Sequence, residues 1–214
     1  MRIDNTRDAL IVVDLQLDFL PGGALAVPGG DEVVSPLSRL ASTFSTVVAT
    51  QDFHPRGHVS FASSHPPHPA YTALELPFGR QELWPDHCVQ GTPGARLHPE
   101  LPDSAITLLL RKGTRRDVDS YSAFRENVGP DGRRASTGLA AWLEARGVRR
   151  VFLSGLARDF CVRFSAVDAA AAGLEALVLD DLTRAVFPER RAETDQAFSA
   201  AGVRVVFGRD LSDG

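Results

Sequence analysis

A mostly parallel, doubly wound α/β sheet in three αβα layers is the fold this sequence predicts, on three observations. Six short apolar runs recur along the chain, helical patterns separate several of them, and the runs lack apolar–polar alternation. Continuous apolar runs mark strands buried on both faces, as parallel sheets require. Alternating strands and helices then wind a sheet with helices on both sides.

The elements follow in chain order. ALIVV (9–13) reads as the first strand, and DEVVSPLSRLASTF predicts a helix with Asp31 as its N-cap. TVVAT (46–50) is the second strand. Residues 51–104 break the pattern: they are loop-like and hold most of the prolines and all six histidines. A connection that long inside a compact domain is usually functional. AITLLL (105–110) resumes the strands. STGLAAWLEARG predicts a helix from Ser136 to a stop at Gly147, and RVFLSG (150–155) a fourth strand. DFCVRFSAVDAAAAG ends at Gly173, LEALVLD (174–180) is a strand, and PERRAETDQAFSAAG runs from Pro188 to Gly202 before VRVVF (203–207). No repeat or linker interrupts the chain, so residues 1–214 read as one domain with a loop region at about 51–104.

Composition narrows the partners. The net charge is -4 and charges of both signs are interleaved, so no nucleic-acid surface is expected. No run approaches the roughly 18 apolar residues of a membrane span, and the charged opening MRIDNTRDALIVVDLQ does not read as a secretory leader. Two cysteines, Cys88 and Cys161, make no disulfide framework, and a cytoplasmic setting is expected.

Ligands of open α/β sheets sit beyond the carboxyl ends of the strands, so the residues that follow each strand are candidates for a site. Asp14 follows the first strand; Gln51, Asp52 and His54 follow the second. Arg111 and Lys112 follow the third, and Cys161 stands near the start of the helix after RVFLSG. Lys112 is the only lysine in a chain with 23 Lys and Arg residues, which makes its place notable. A helix N-terminus and a nearby cation lower a thiol's pKa, so Cys161 reads as a nucleophile with Lys112 as the cation. Asp14 could move the thiol proton to a leaving group. A compact ammonium fits between two small groups where a guanidinium does not.

The loop adds a second constellation. QDFHPRGH places Asp52, His54 and His58 within seven residues, and WPDHC adds His87. A carboxylate with imidazoles suits zinc, iron or manganese; the competing reading is that histidines decorate an exposed loop. His65, His68 and His98 sit in Pro-rich turns. A different mechanism would place a catalytic zinc on Asp52, His54, His87 and Cys88, with Cys161 structural. A non-catalytic small-molecule-binding module on the same fold is the third reading.

Five stretches together resemble the nicotinamidases, a branch of the isochorismatase-like cysteine hydrolases. They are ALIVVDLQLDFLPGGALAVPGGDEVV, TQDFHPRGHVSFA, LWPDHCVQGTPGARLHPEL, RKGTRRDVDSYSAF and LSGLARDFCVRFSAVDAAAAG, spanning about residues 9 to 183. The resemblance implies hydrolysis of nicotinamide to nicotinate and ammonia through a thioester. It implies a catalytic triad of Asp14, Lys112 and Cys161, and a divalent metal, zinc before iron or manganese, on Asp52, His54 and His87. His58 is left open as a further ligand, because family members differ there, and Ser60 is placed in the metal's outer shell. Phe19, Trp84 and Tyr121 fall where the family packs the pyridine ring. A non-proline cis peptide before Ala157 is implied, with the Ala157 and Cys161 amides as an oxyanion hole. The runner-up is a related cysteine hydrolase of another amide, such as pyrazinamide or an N-carbamoyl compound. Family members commonly self-associate, so a homo-oligomer is a further implication, although no apolar stripe here marks an interface. Arg158 departs from the small hydroxyl residue that the family pattern leads one to expect, and places the tuning of the entrance in question.

Overall fold

The apolar runs become the strands of one sheet. In the computed structural model, which describes residues 1–212, β1 (Asp8–Val13), β2 (Val47–Asp52), β5 (Leu108–Lys112), β6 (Arg150–Leu156), β7 (Glu175–Arg184) and β8 (Arg204–Val206) form a six-stranded sheet in the order β5-β2-β1-β6-β7-β8. Every pairing in it is parallel. Helices α1 (Val34–Ala41), α2 (Leu139–Ala145), α3 (Arg163–Ala171) and α4 (Arg191–Ala200) connect and cover the strands. The three-layer expectation holds.

Burial follows position in the sheet. β1 and β2 are buried at every residue, as an unbroken apolar run demands. The edge strands differ from the expectation of two buried faces: Leu109 on β5 is 44% exposed and Val205 on β8 is 42% exposed. An outermost strand has a neighbour on one side alone, and its outward side chains meet water.

The long loop is more structured than its composition suggests. β3 (Thr72–Leu76) and β4 (Gly79–Leu83) pair as an antiparallel hairpin within it. The polar residues and the Leu-Pro-Phe-Gly turn hid that hairpin. Nor does Asp31 cap α1; it lies inside a short 3-10 turn, Gly30–Val33, that leads into the helix. Gly147, Gly173 and Gly202 each follow the end of a helix, where the sequence places its stops.

Two features shape the carboxyl edge of the sheet. β1 and β6 are neighbours, and at Gly155 (φ +95°) a Cβ would stand 2.1 Å from the Val13 carbonyl oxygen, so the approach is possible for glycine alone. β7 carries a bulge: it advances from Val178 to Thr183 while β6 advances from Leu153 to Gly155. The extra residues of β7 fall at this same edge of the sheet.

Candidate active site

Each of the three proposed catalytic residues leaves the end of a different strand or the turn after one. Asp14 follows β1 with φ +46°, Lys112 ends β5, and Cys161 lies in a one-turn π-helix, Arg158–Val162, that runs into α3. They meet in the interior. The Lys112 ammonium lies 2.8 Å from Asp14 Oδ2 and donates to Asp52 Oδ1 at 2.5 Å, to the Ser120 carbonyl at 3.0 Å and to Cys161 Sγ at 3.4 Å. The single lysine is the shared partner of the carboxylate, the thiol and the candidate metal ligand. Thr50, which the sequence reading passed over, orients the carboxylate. Its hydroxyl donates to Asp14 Oδ1 at 2.6 Å and accepts the Asp14 amide at 3.0 Å. A hydroxyl at the end of an otherwise apolar strand was the available signal.

The electrostatics correct one expectation. Burial pushes the Cys161 thiol well above its ordinary pKa, and although Lys112 opposes this, Asp14 and Asp52 reinforce it. The chain's own groups therefore favour a thiol rather than a standing thiolate. Burial also raises the Asp14 carboxyl against the pull of Lys112, which makes it a stronger base than an exposed aspartate. Lys112 itself is held charged: burial works against the ammonium, but Asp14 and Asp52 carry its pKa well above the usual range.

Beside these three residues stands a group of candidate metal donors. Atoms of Asp52, His54 and His87 lie within 4.8 Å of one another, all buried. Asp52 Oδ2 is 3.6 Å from His54 Nε2 and 3.9 Å from His87 Nε2. The remaining ring nitrogens are anchored, with His54 Nδ1 donating to the Gly113 carbonyl at 3.0 Å and His87 Nδ1 to the Pro85 carbonyl at 2.8 Å. With Nδ1 so engaged, each ring in its neutral form presents an Nε2 lone pair toward Asp52, the orientation a metal ligand needs. In the metal-free chain burial lowers the His54 pKa, but Asp52 outweighs it and raises the value. Burial and the neighbouring His54 hold His87 down at about 4, so it is neutral and able to ligate at physiological pH. For Asp52, burial is outweighed by Lys112 and His54, and the carboxyl falls well below the usual range. Two imidazoles and a carboxylate thus fit a divalent ion of the zinc, iron or manganese type.

His58 is placed differently. Its Nε2 donates to the Val118 carbonyl at 3.1 Å and its Nδ1 faces the Ser60 hydroxyl at 2.7 Å, so both nitrogens are engaged. It packs on His54 with ring centroids 4.1 Å apart, as a buttress to that ligand. Cys88 lies outside the donor set; its carbonyl accepts the His54 amide at 3.0 Å. Gln16 clamps the Asp52 backbone from both sides, donating to its carbonyl at 2.8 Å and accepting its amide at 2.8 Å. His65 bonds the Val59 carbonyl at 2.8 Å, away from the site.

The candidate metal donors and the thiol line one tight cleft, with about 20 Å³ of free space. Phe19, Trp84 and Tyr121 line it as the resemblance implied, and Phe160 and Asp119 join them. Trp84, just past β4, donates its indole N–H to the Tyr121 hydroxyl at 3.2 Å and meets Phe160 edge-on with centroids 4.8 Å apart. Gln81 on β4 donates to Asp119 at 2.8 Å. The unforeseen hairpin is what brings Trp84 to the cleft. Ala157 follows a cis peptide from Leu156 and faces the same space as Cys161. Arg158 does not reach the entrance. It is buried and pairs with Asp180 and Asp195, at 2.8 and 2.7 Å.

Comparison with known proteins agrees with this geometry. The nicotinamidase of Acinetobacter baylyi is 45% identical over 204 residues, covering 95% of this chain and 94% of that protein. The PnC1 protein of L. infantum, solved in complex with nicotinate, superposes with a TM-score of 0.88 at 39% identity, over 100% of this chain and 99% of that one. The pyrazinamidase of Pyrococcus horikoshii, solved in complex with zinc, gives a TM-score of 0.76 at 34% identity, over 94% and 99%. The isochorismatase domain model matches residues 8–210, and the chain belongs to the isochorismatase family.

Proposed function

We propose that this chain is a nicotinamidase, a single-domain cysteine amidohydrolase that converts nicotinamide to nicotinate and ammonia. One observation carries the reading: a buried ammonium bridges a thiol and a basic carboxylate at the foot of a narrow aromatic cleft. Relatives that act on nicotinamide or are solved with nicotinate support the same ring.

The residues divide the work. Trp84, Tyr121 and Phe19 give flat apolar walls for a pyridine ring, which favours an aromatic amide over an N-carbamoyl compound. Asp52, His54 and His87 would hold a divalent ion, zinc by the P. horikoshii precedent, which supplies a Lewis-acidic anchor for the ring nitrogen. Asp14 accepts the Cys161 proton as sulfur attacks the carboxamide carbon, and Lys112 stabilises the negative charge shared by the pair. The Ala157 and Cys161 amides receive the oxyanion; one such donor contributes about 3–4 kcal/mol by precedent. The tetrahedral adduct expels ammonia, which takes the proton from Asp14, and leaves a thioester. Asp14 then deprotonates a water that attacks the thioester, nicotinate departs, and the proton returns to sulfur.

Ammonia release from nicotinamide by purified protein, with metal content measured on the same sample, is the direct test. Cys161→Ala is expected to abolish release while retaining nicotinate binding; undiminished turnover would reject the thiol as nucleophile.

A further inference from the structure

The two residues that open the nucleophile's turn are charged, buried, and turned away from the reacting atoms. Arg158 is 3% exposed and Asp159 4%. The Asp159 carboxylate accepts the Val186 amide at 2.9 Å and the Phe187 amide at 2.8 Å. These residues lie in the connection between β7 and α4, where Val186 lines the cleft and Phe187 stacks on Trp84 at 6.3 Å and meets Phe160 at 6.0 Å. Arg158 reaches the same connection from behind. It pairs with Asp180 at 2.8 Å, donates to the Thr183 hydroxyl at 3.2 Å and pairs with Asp195 of α4 at 2.7 Å. Asp180 and Thr183 bracket the bulge in β7.

A backbone amide pair held by one carboxylate forms short, charge-assisted bonds with fixed geometry. Buried ionic groups cost desolvation energy, and apolar residues could fill such space without it. Here the ions place a wall: one straps the cleft-facing connection to the nucleophile's own turn, and the other straps the strand and helix on either side of it.

We infer that Arg158 and Asp159 are specificity-determining positioning residues, which hold the Val186–Phe187 wall at a fixed distance from Cys161 and so limit the cleft to an unsubstituted ring. The inference rests on the amide-hydrolase reading above and deepens it. Neither residue touches the substrate; both act through the wall.

The test compares nicotinamide with 5-methyl- and 6-methylnicotinamide as substrates. An added methyl in a fixed pocket is rejected by roughly 10- to 200-fold in kcat/KM, and the unaltered enzyme is expected to discriminate within that range against at least one of the pair. Asp159→Asn, which replaces one acceptor oxygen by a donor, is expected to reduce that ratio by about tenfold. KM for nicotinamide should rise more than kcat falls, because the triad is anchored separately by Thr50 and Lys112. A merely structural role would lower the folded fraction and leave both the ratio and KM unchanged. Arg158→Met, uncharged and of similar length, carries the same expectation and decides the matter where Asp159→Asn fails to fold. Unchanged discrimination in a folded variant, or no discrimination in the unaltered enzyme, would overturn the inference. Absence of turnover of all three amides by the unaltered enzyme would instead reject the amide-hydrolase reading.

Discussion

Replacing Lys112 by Met removes a charge while nearly conserving volume, so its effects report on the ammonium alone. In the native chain that ammonium is 2.8 Å from Asp14 and 2.5 Å from Asp52, with no solvent exposure of its side chain. Breaking a buried ion pair costs about 3–5 kcal/mol, because the remaining charge is left without compensation. Two carboxylates would be left facing each other, and the cheapest relief is for Asp14 to take up a proton. A protonated Asp14 cannot accept the thiol proton, and loss of a general base costs about 10²- to 10⁴-fold in rate. The sign of the stability effect is fixed by pH. The folded pKa of Lys112 is raised, so its contribution is fully present below about 10.4, the unfolded value, and is lost only as pH rises through the folded one. At pH 7 the full loss should be seen. Urea unfolding and steady-state ammonia release at pH 7 measure the two effects. A variant within threefold of the native kcat/KM, or destabilised by less than about 1 kcal/mol, would refute the reasoning.

Three further expectations follow from neighbouring residues. Lys112→Arg keeps the charge but must fit a wider group among Asp14, Asp52, Ser120 and Cys161, and should lose most activity in the same ammonia assay; overpacking costs about 1–3 kcal/mol. Gly113→Ala would set a Cβ 2.3 Å from His54 Cε1 at φ +62°, so metal content by mass spectrometry should fall while the nicotinate cleft remains. His58 and His87 are held at about 4 by burial against an unfolded value near 6.5. The unfolded chain therefore binds more protons between those values, and chelated protein should lose stability as pH falls from 7 toward 4. The loss is up to roughly 3 kcal/mol for each histidine, with His54, whose pKa is raised, working in the opposite sense. Thermal melting across that range checks the slope.

Much of the molecule is legible in the amino-acid sequence. The central strands were legible because parallel strands are buried on both faces and leave unbroken apolar runs, as in ALIVV. Asp14, Lys112 and Cys161 were legible because the carboxyl ends of such strands converge, a rule of topology rather than of local sequence. The hairpin was not, since its strands are half exposed and Gln81 bonds a residue as distant as Asp119. The state of the thiol was misread for a related reason. Helix position and a cation are visible in sequence, whereas desolvation depends on everything packed around the sulfur. Thr50, Gln16 and Asp159 act through bonds to backbone or side chains tens of residues away, and spacing does not encode such partners.

The alignment of β5 on β2 sets Asp52 directly opposite Lys112, and the next residue, Gly113, supplies the carbonyl that steadies His54. A slip of one position along that pairing would turn the lysine to the far face of the sheet and carry away the histidine's support in the same movement. A change of length at the hairpin turn, residues 77 and 78, leaves that pairing untouched, but a single residue gained or lost inside either strand would disable both halves of the site together.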